Sequence, residues 1–130
     1  MSSAAPARLD IIIPVYNEGA NILRTLQSIL RAVKTPLRVL ICYDHEDDDT
    51  LLAIRDNRAS LGALAVSFVR NSGRGAHGAV LSGFAASKAP FAVVLPADDD
   101  YNAGILDAMV ARAEAAVTSF APAASSRAAA

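Results

Sequence analysis

Eight of the thirteen acidic residues fall in two tight clusters. Asp44, Glu46, Asp47, Asp48 and Asp49 fill five of six consecutive positions, and Asp98, Asp99 and Asp100 are adjacent. Like charges at this density repel one another, so such runs face water or a cation. Hard divalent cations take carboxylate oxygens together with water and substrate phosphates. The second cluster is therefore a candidate metal site, through one or two of Asp98, Asp99 and Asp100. The alternative is a solvated turn that caps the following helix. In the first cluster Asp44 offers acceptors to a ribose or to base N–H groups. Asp48 and Asp49 suit a helix cap, where acids favour the dipole. His45 reads as an exposed loop histidine.

Two further segments carry unusual residues. Pro14, Tyr16 and Glu18 lie at the end of an apolar run. There Tyr16 can pack against a base and Glu18 can accept from one, or the segment is a turn with Asn17 as the N-cap of the next helix. Gly73-Arg74-Gly75-Ala76-His77-Gly78 matches G-x-G-x-x-G, with Asp98 twenty residues beyond Gly78. That is the spacing of a dinucleotide fingerprint. It follows the third apolar run instead of the first, and Arg70-Asn71-Ser72 intervenes, so a dinucleotide-dependent oxidoreductase is the runner-up reading. Arg74 is placed to pair with phosphate oxygens or to stand as a surface arginine. His77 is expected on a helix surface.

These residues need a scaffold that gathers them. Leu9–Val15, Leu37–Tyr43, Leu64–Val69 and Phe91–Leu95 are short apolar runs that predict buried strands. Helical periodicity follows each of them. It runs from Ala20 to a stop at Pro36, then over Thr50–Arg58, Ala76–Lys88 and Ala103–Ala115. The inward faces are expected to hold Ile22, Leu26, Ile29, Leu30 and Val33; Leu51, Leu52 and Ile54; Val80, Leu81 and Phe84; and Ile105, Leu106, Met109 and Val110. Strict alternation of strand and helix predicts an α/β fold, Rossmann-like, with a mostly parallel sheet covered by helices on both faces. All four acidic or glycine-rich loops then leave the same sheet edge, where open α/β sheets bind ligands. Residues 1–8 read as a flexible start, 9–115 as the α/β domain and 116–130 as a low-complexity Ala/Ser/Pro tail.

Composition narrows the function classes. The chain has 130 residues, 53% of them hydrophobic, which suffices for one core. Twelve basic against thirteen acidic residues give a net charge of −1, which argues against a nucleic-acid partner. Absence of tryptophan and 5% aromatic content disfavour a stacking platform for single strands. The single Cys42 allows no internal disulfide and points to a reducing, cytoplasmic compartment and a small core side chain. No apolar run is long enough for a transmembrane segment.

The four segments, in this order, resemble the N-terminal half of a family 2 glycosyltransferase of the GT-A fold. Ile11-Ile-Ile-Pro-Val-Tyr-Asn-Glu18 is similar to the family's strand followed by P-x-Y-N-E. Val39–Thr50 is similar to its second strand, with an acidic nucleotide-contacting turn and D-x-T. Asn71-Ser-Gly-Arg-Gly-Ala76 resembles N-x-G-K-G-A, with Arg74 in the basic place, and Val93–Asp100 resembles the strand that ends in the D-x-D metal motif. The resemblance spans residues 9–115 and leans toward the polyprenyl- or dolichol-phosphate sugar synthases. It implies a UDP- or GDP-linked sugar donor bound through Pro14, Tyr16, Glu18, Asp44, Arg74 and Asp98. It further implies Mg2+ or Mn2+ on Asp98 and Asp100, inversion at the anomeric carbon, and an acceptor for which a polyprenyl phosphate is a candidate. Aligning the strands by length puts Pro96 where the family has the first acid of D-x-D, whereas a slip of two gives Asp98-x-Asp100. Family catalytic domains are about twice as long, so the expectation is a truncated domain without the acceptor half, with a non-catalytic nucleotide-binding remnant as the alternative to a transferase. No residue of the chain is a candidate for the catalytic base, and a location peripheral to a membrane accompanies the polyprenyl-phosphate reading.

Overall fold

The computed structural model describes residues 6–129, with side chains described to residue 118; residues 1–5 of the expected flexible start lie outside the described residues. The elements are β1 (Leu9–Pro14), α1 (Ile22–Ala32), β2 (Leu37–Tyr43), α2 (Asp49–Asp56), a 3-10 turn at Arg58–Leu61, β3 (Val66–Arg70), α3 (Gly75–Ala86), β4 (Phe91–Val94), a 3-10 turn at Ala103–Ile105, and α4 (Leu106–Ala129). Three strands end or begin within two residues of the sequence expectation, and β2 matches it. The fourth helix was expected to stop at Ala115 but continues to Ala129.

The four strands form one sheet in the order β3-β2-β1-β4, and every pairing is parallel. The chain steps outward from β1 to β3, then returns to the far side of β1. That reversal is the topological switch point at which doubly wound sheets open a crevice. Successive side chains of a strand point to opposite faces, and the Ile-rich β1 supplies both. Ile11 and Ile13 join Val39 and Ile41 beneath α1, α2 and the start of α4, while Ile12 joins Leu40, Cys42 and Ala79 beneath α3. All three isoleucines are fully buried, each worth about 1.5–3 kcal/mol relative to exposure.

The two sheet faces are covered differently, and this corrects several expected inward residues. On α1 the face is as expected at Ile22, Leu26 and Ile29, with Thr25 and Ser28 added, but Leu30 is exposed. On α2 Leu51 and Ile54 are buried and Leu52 is exposed. On α4 Leu106 and Val110 are buried, while Met109, and Ile105 at the end of the preceding 3-10 turn, are exposed. The largest departure is α3. Its buried residues are Ala79, Ser82 and Gly83, whereas Leu81 and Phe84 are 54% and 47% exposed. A Cβ at Gly83 would lie 2.5 Å from Ile12 Cγ2, so small residues are what let α3 approach the sheet. Among the described residues no helix is long and apolar enough to cross a membrane.

Candidate functional site

All strands share one direction, so the loops after β1, β2, β3 and β4 leave the same edge of the sheet. The loop after β1 is held by the first turn of α2. Asn17 N donates to Asp48 Oδ2 (3.1 Å), Glu18 N to Thr50 Oγ1 (2.8 Å) and Gly19 N to Asp49 Oδ1 (2.8 Å). Asp49 N donates in return to Asn17 Oδ1 (3.2 Å). Asp48 also accepts from Thr50 N at 2.8 Å and is the N-cap of α2, as its type predicts.

Asn17 is not the N-cap of α1, which is Asn21. Asn17 instead adopts a left-handed backbone with φ 52°, a conformation Asn tolerates better than most residues. Gly19 leaves room for the clasp, since a Cβ there would sit 2.9 Å from Asp49 Oδ1. The result is a loop whose amides are spent on neighbouring side chains while Tyr16 projects from it, 69% exposed.

Asp44, at the end of β2, meets the loop before α3. Its Oδ1 accepts from Asn71 Nδ2 at 2.6 Å. Arg74 is exposed and occupies the N-cap position of α3, which starts at Gly75 with φ 66°. Of the glycines in the G-x-G-x-x-G segment, Gly73 and Gly78 have a packing role, whereas Gly75 has open space around it and serves the left-handed turn. A Cβ at Gly78 would come within 3.1 Å of both Asn71 Oδ1 and the Gly73 carbonyl carbon, and Gly73 itself lies against Gly78. They fold the loop tightly around Asn71, and that accounts for the spacing that suggested a dinucleotide fingerprint. His77 is exposed, as expected.

The three acids after β4 have separate roles. Asp99 caps a turn, accepting from Tyr101 N (3.2 Å), Asn102 N (2.9 Å) and Asn102 Nδ2 (2.8 Å). These bonds, that from the Asn102 side chain foremost, hold its carboxyl below the ordinary value. Asp100 faces the Arg24 guanidinium at 3.5 Å. Asp98 is exposed and makes no hydrogen bond or ion pair with another described residue. The loop is tied to α1 by Thr25 Oγ1, which donates to the Ala97 carbonyl at 2.6 Å. Arg24 also donates to Asn21 Oδ1 (3.1 Å), and Asn21 Nδ2 donates to Glu18 Oε1 (3.1 Å). A polar chain therefore runs from Asp100 to Glu18.

Pro14, Tyr16, Glu18 and Asp44 line one cleft of about 420 Å³ together with Val15, Gly75, Ala76 and Ala79. Arg74 stands one residue outside that lining, and Asp98 and Asp100 are not part of it. A second hollow of about 340 Å³ lies between Tyr16, Asn17, His45, Asp47 and Asp48. The main cleft combines an apolar floor, an exposed aromatic ring, two carboxylates and the N-terminus of a helix, which attracts anions. Among the described residues no group of three or more His, Cys, Asp or Glu side chains converges as a closed metal site. Arg24 and Asn21 were not singled out from the sequence, and Asn71 was named only as the first residue of the segment resembling N-x-G-K-G-A, with no site role. Cys42 is buried beneath α3, and desolvation pushes its thiol up to about 11, in keeping with a core role.

The sequence model of the glycosyl transferase family 2 matches residues 10–125. The chain belongs to that family. It is 30% identical over 93 residues to the undecaprenyl-phosphate 4-deoxy-4-formamido-L-arabinose transferase of Aeromonas hydrophila, a match covering 69% of this chain and 28% of that protein. The fold is similar to the mannosyltransferase PcManGT from Pyrobaculum calidifontis, solved with GDP-Man and Mn2+. There the TM-score is 0.64 at 25% identity, over 79% of this chain and 32% of that one. S. aureus TarS 1–349 in complex with UDP gives a TM-score of 0.60 at 26% identity, over 80% of this chain and 31% of that one. The chain thus spans little more than a quarter of its curated relative's length. The α/β fold expected from strand–helix alternation is the GT-A arrangement of these structures.

Proposed function

We propose that this chain carries the donor site of a family 2 glycosyltransferase and binds a nucleoside diphosphate sugar, UDP- or GDP-linked. The meeting of Pro14, Tyr16, Glu18 and Asp44 with the first turn of α3 in one cleft is the observation that supports this best. Tyr16 offers an exposed ring face for a base. Asp44 and Glu18 offer acceptors for base N–H or ribose hydroxyl groups. The α3 N-terminus and the Arg74 guanidinium favour the phosphates. The similarity to structures holding UDP and GDP-Man supports the same donor class.

A divalent ion, Mg2+ or Mn2+, fits the loop after β4. Asp98 is exposed and uncommitted, and Asp100 shares its carboxylate only with a surface arginine. Two carboxylates completed by water and a diphosphate are a donor set such ions accept. Asp98 and Asp100 would hold the ion, which when bound acts as a Lewis acid toward the charge that develops on the departing diphosphate. In the transfer an acceptor oxygen attacks the anomeric carbon from the face opposite the nucleotide, the bond from that carbon to the diphosphate breaks, and the configuration inverts. The acceptor is proposed to be a polyprenyl phosphate, in line with the undecaprenyl-phosphate relative. A cytoplasmic domain peripheral to the membrane would reach such an acceptor.

Calorimetric titration with UDP- and GDP-sugars, with and without Mn2+, tests the proposal. Metal-dependent binding is expected, and Asp98→Ala should abolish the metal dependence while leaving the fold intact. Binding of NAD(H) with no sugar nucleotide bound would overturn the proposal. Unchanged binding by Asp98→Ala would remove that residue from the site.

A further inference from the structure

The carboxamide of Asn71 is 8% exposed for the whole residue, and every hydrogen-bonding position it has is used. Nδ2 donates to Asp44 Oδ1 (2.6 Å) and to the Gly75 carbonyl (3.1 Å). Oδ1 accepts from Gly73 N (2.8 Å) and from Ser82 Oγ (3.2 Å). The Asn71 amide nitrogen is itself anchored, donating to the Tyr43 carbonyl at 2.7 Å. One side chain thus ties the acid at the end of β2 to the loop that forms the α3 N-terminus, and both Asp44 and Gly75 line the cleft.

We propose that Asn71 is the positioning residue of the donor site, setting the orientation in which Asp44 presents its second oxygen, Oδ2, to the bound nucleoside. The proposal rests on the reading of the cleft as a nucleotide site. Asp44 Oδ2 has no hydrogen-bond partner among the described residues, so once Oδ1 is held it is the acceptor left for a ligand N–H or hydroxyl. Neighbouring side-chain types cannot do this work. Aspartate lacks the donors, serine and alanine cannot span both partners, and the glutamine chain is one methylene too long for a pocket closed by Gly73 and Gly78. Preorganising an acceptor raises affinity by removing the cost of ordering it on binding.

A double-mutant cycle separates this role from a purely structural one. Asn71→Ala and the uncharged Asn71→Ser are made in the wild-type and in the Asp44→Ala background. Affinity is measured for UDP-GlcNAc and GDP-mannose, and denaturant melts are recorded on the same proteins. Each Asn71 variant is expected to weaken binding about tenfold or more beside Asp44 and less than about twofold when Asp44 is already alanine. An equal loss in both backgrounds overturns the proposal, because Asn71 would then act on the loop alone. Should Asn71→Ala fail to fold, Asn71→Ser carries the test, since its short hydroxyl cannot reach Asp44 and brings no charge beside it. Failure of the wild-type chain to bind either sugar nucleotide refutes the donor-site reading instead. The melts then still decide the Asn71–Asp44 contact, since additive destabilisation would refute it.

Discussion

Gly83→Ala is a sharp test of how the cleft is built. The added Cβ would lie 2.5 Å from Ile12 Cγ2 and 3.0 Å from Cys42 Sγ. Carbon atoms pack comfortably at about 3.5–4.0 Å, so α3 must retreat from the sheet by about 1 Å. Ile12 cannot swing aside, because it is β-branched and fully buried in the central strand. Overpacking of this kind costs about 1–3 kcal/mol, and replacing a helical glycine with alanine returns up to about 1 kcal/mol. The net expectation is a destabilisation of about 1–2 kcal/mol. For a chain of 130 residues that is a fall in Tm of about 3–8 °C.

Sugar-nucleotide affinity should drop as well, because Gly75, Ala76 and Ala79 of the same helix line the cleft. Differential scanning calorimetry reads the first effect and calorimetric titration the second. Gly104→Ala is the control, since nothing lies within 4 Å of a Cβ there, and its Tm should stay near that of wild type. A Gly83→Ala protein that melts at or above the wild-type temperature would refute the close approach of α3, and with it the placing of the cleft wall.

Two other expectations concern acids that hold the scaffold. Asp10 is fully buried at the far end of β1. Its Oδ2 accepts from Ser87 Oγ (2.7 Å), Lys88 N (2.8 Å) and Ala89 N (3.0 Å), and its Oδ1 faces Arg38 Nε at 3.3 Å. Burial pushes its carboxyl up, but those hydrogen bonds together outweigh it and hold the group below the ordinary carboxylate value. A depressed native value means stability that is present above the unfolded value of about 3.9 and lost as pH falls through the native one. Asp10→Ala should cost about 2–4 kcal/mol at pH 7, the upper range being trimmed because Arg38 is partly solvated. It should also flatten the acid limb of a stability–pH profile, and an unchanged limb would count against the assignment. Asp48→Ala removes both the α2 cap and the bond to Asn17 N. It should cost about 1–2 kcal/mol in chemical melts and speed hydrogen exchange at Asn17, Glu18 and Gly19.

Much of this protein was legible in its residues alone, for identifiable physical reasons. Continuous apolar runs separated by helical periodicity admit few solutions other than a parallel sheet with helices on both faces. Parallel strands in turn send Tyr16, Asp44, Arg74 and Asp98 to one edge whatever the packing details. The α2 cap was readable at Asp48, whose bond to Thr50 N is local, whereas Asp49, expected to share it, is spent on Gly19 N instead.

What the sequence could not decide depends on contacts between segments far apart in the chain. Periodicity marks Leu81 and Phe84 as an inward stripe, but Gly83 against Ile12 lets α3 settle on its small face and turns both outward. Asn17 has the composition of an N-cap, yet the clasp with Asp48, Asp49 and Thr50 claims it for a left-handed turn. The three consecutive acids are chemically alike in sequence. Asp99 takes a local turn with Tyr101 and Asn102, but only the fold assigns Asp100 to Arg24 and leaves Asp98 uncommitted. Local propensity and polarity act over a few residues and so set the elements and their shared edge. Which side chain is spent on the scaffold and which remains for a ligand is settled by partners 30 to 80 positions away, and those meet only when the chain has folded.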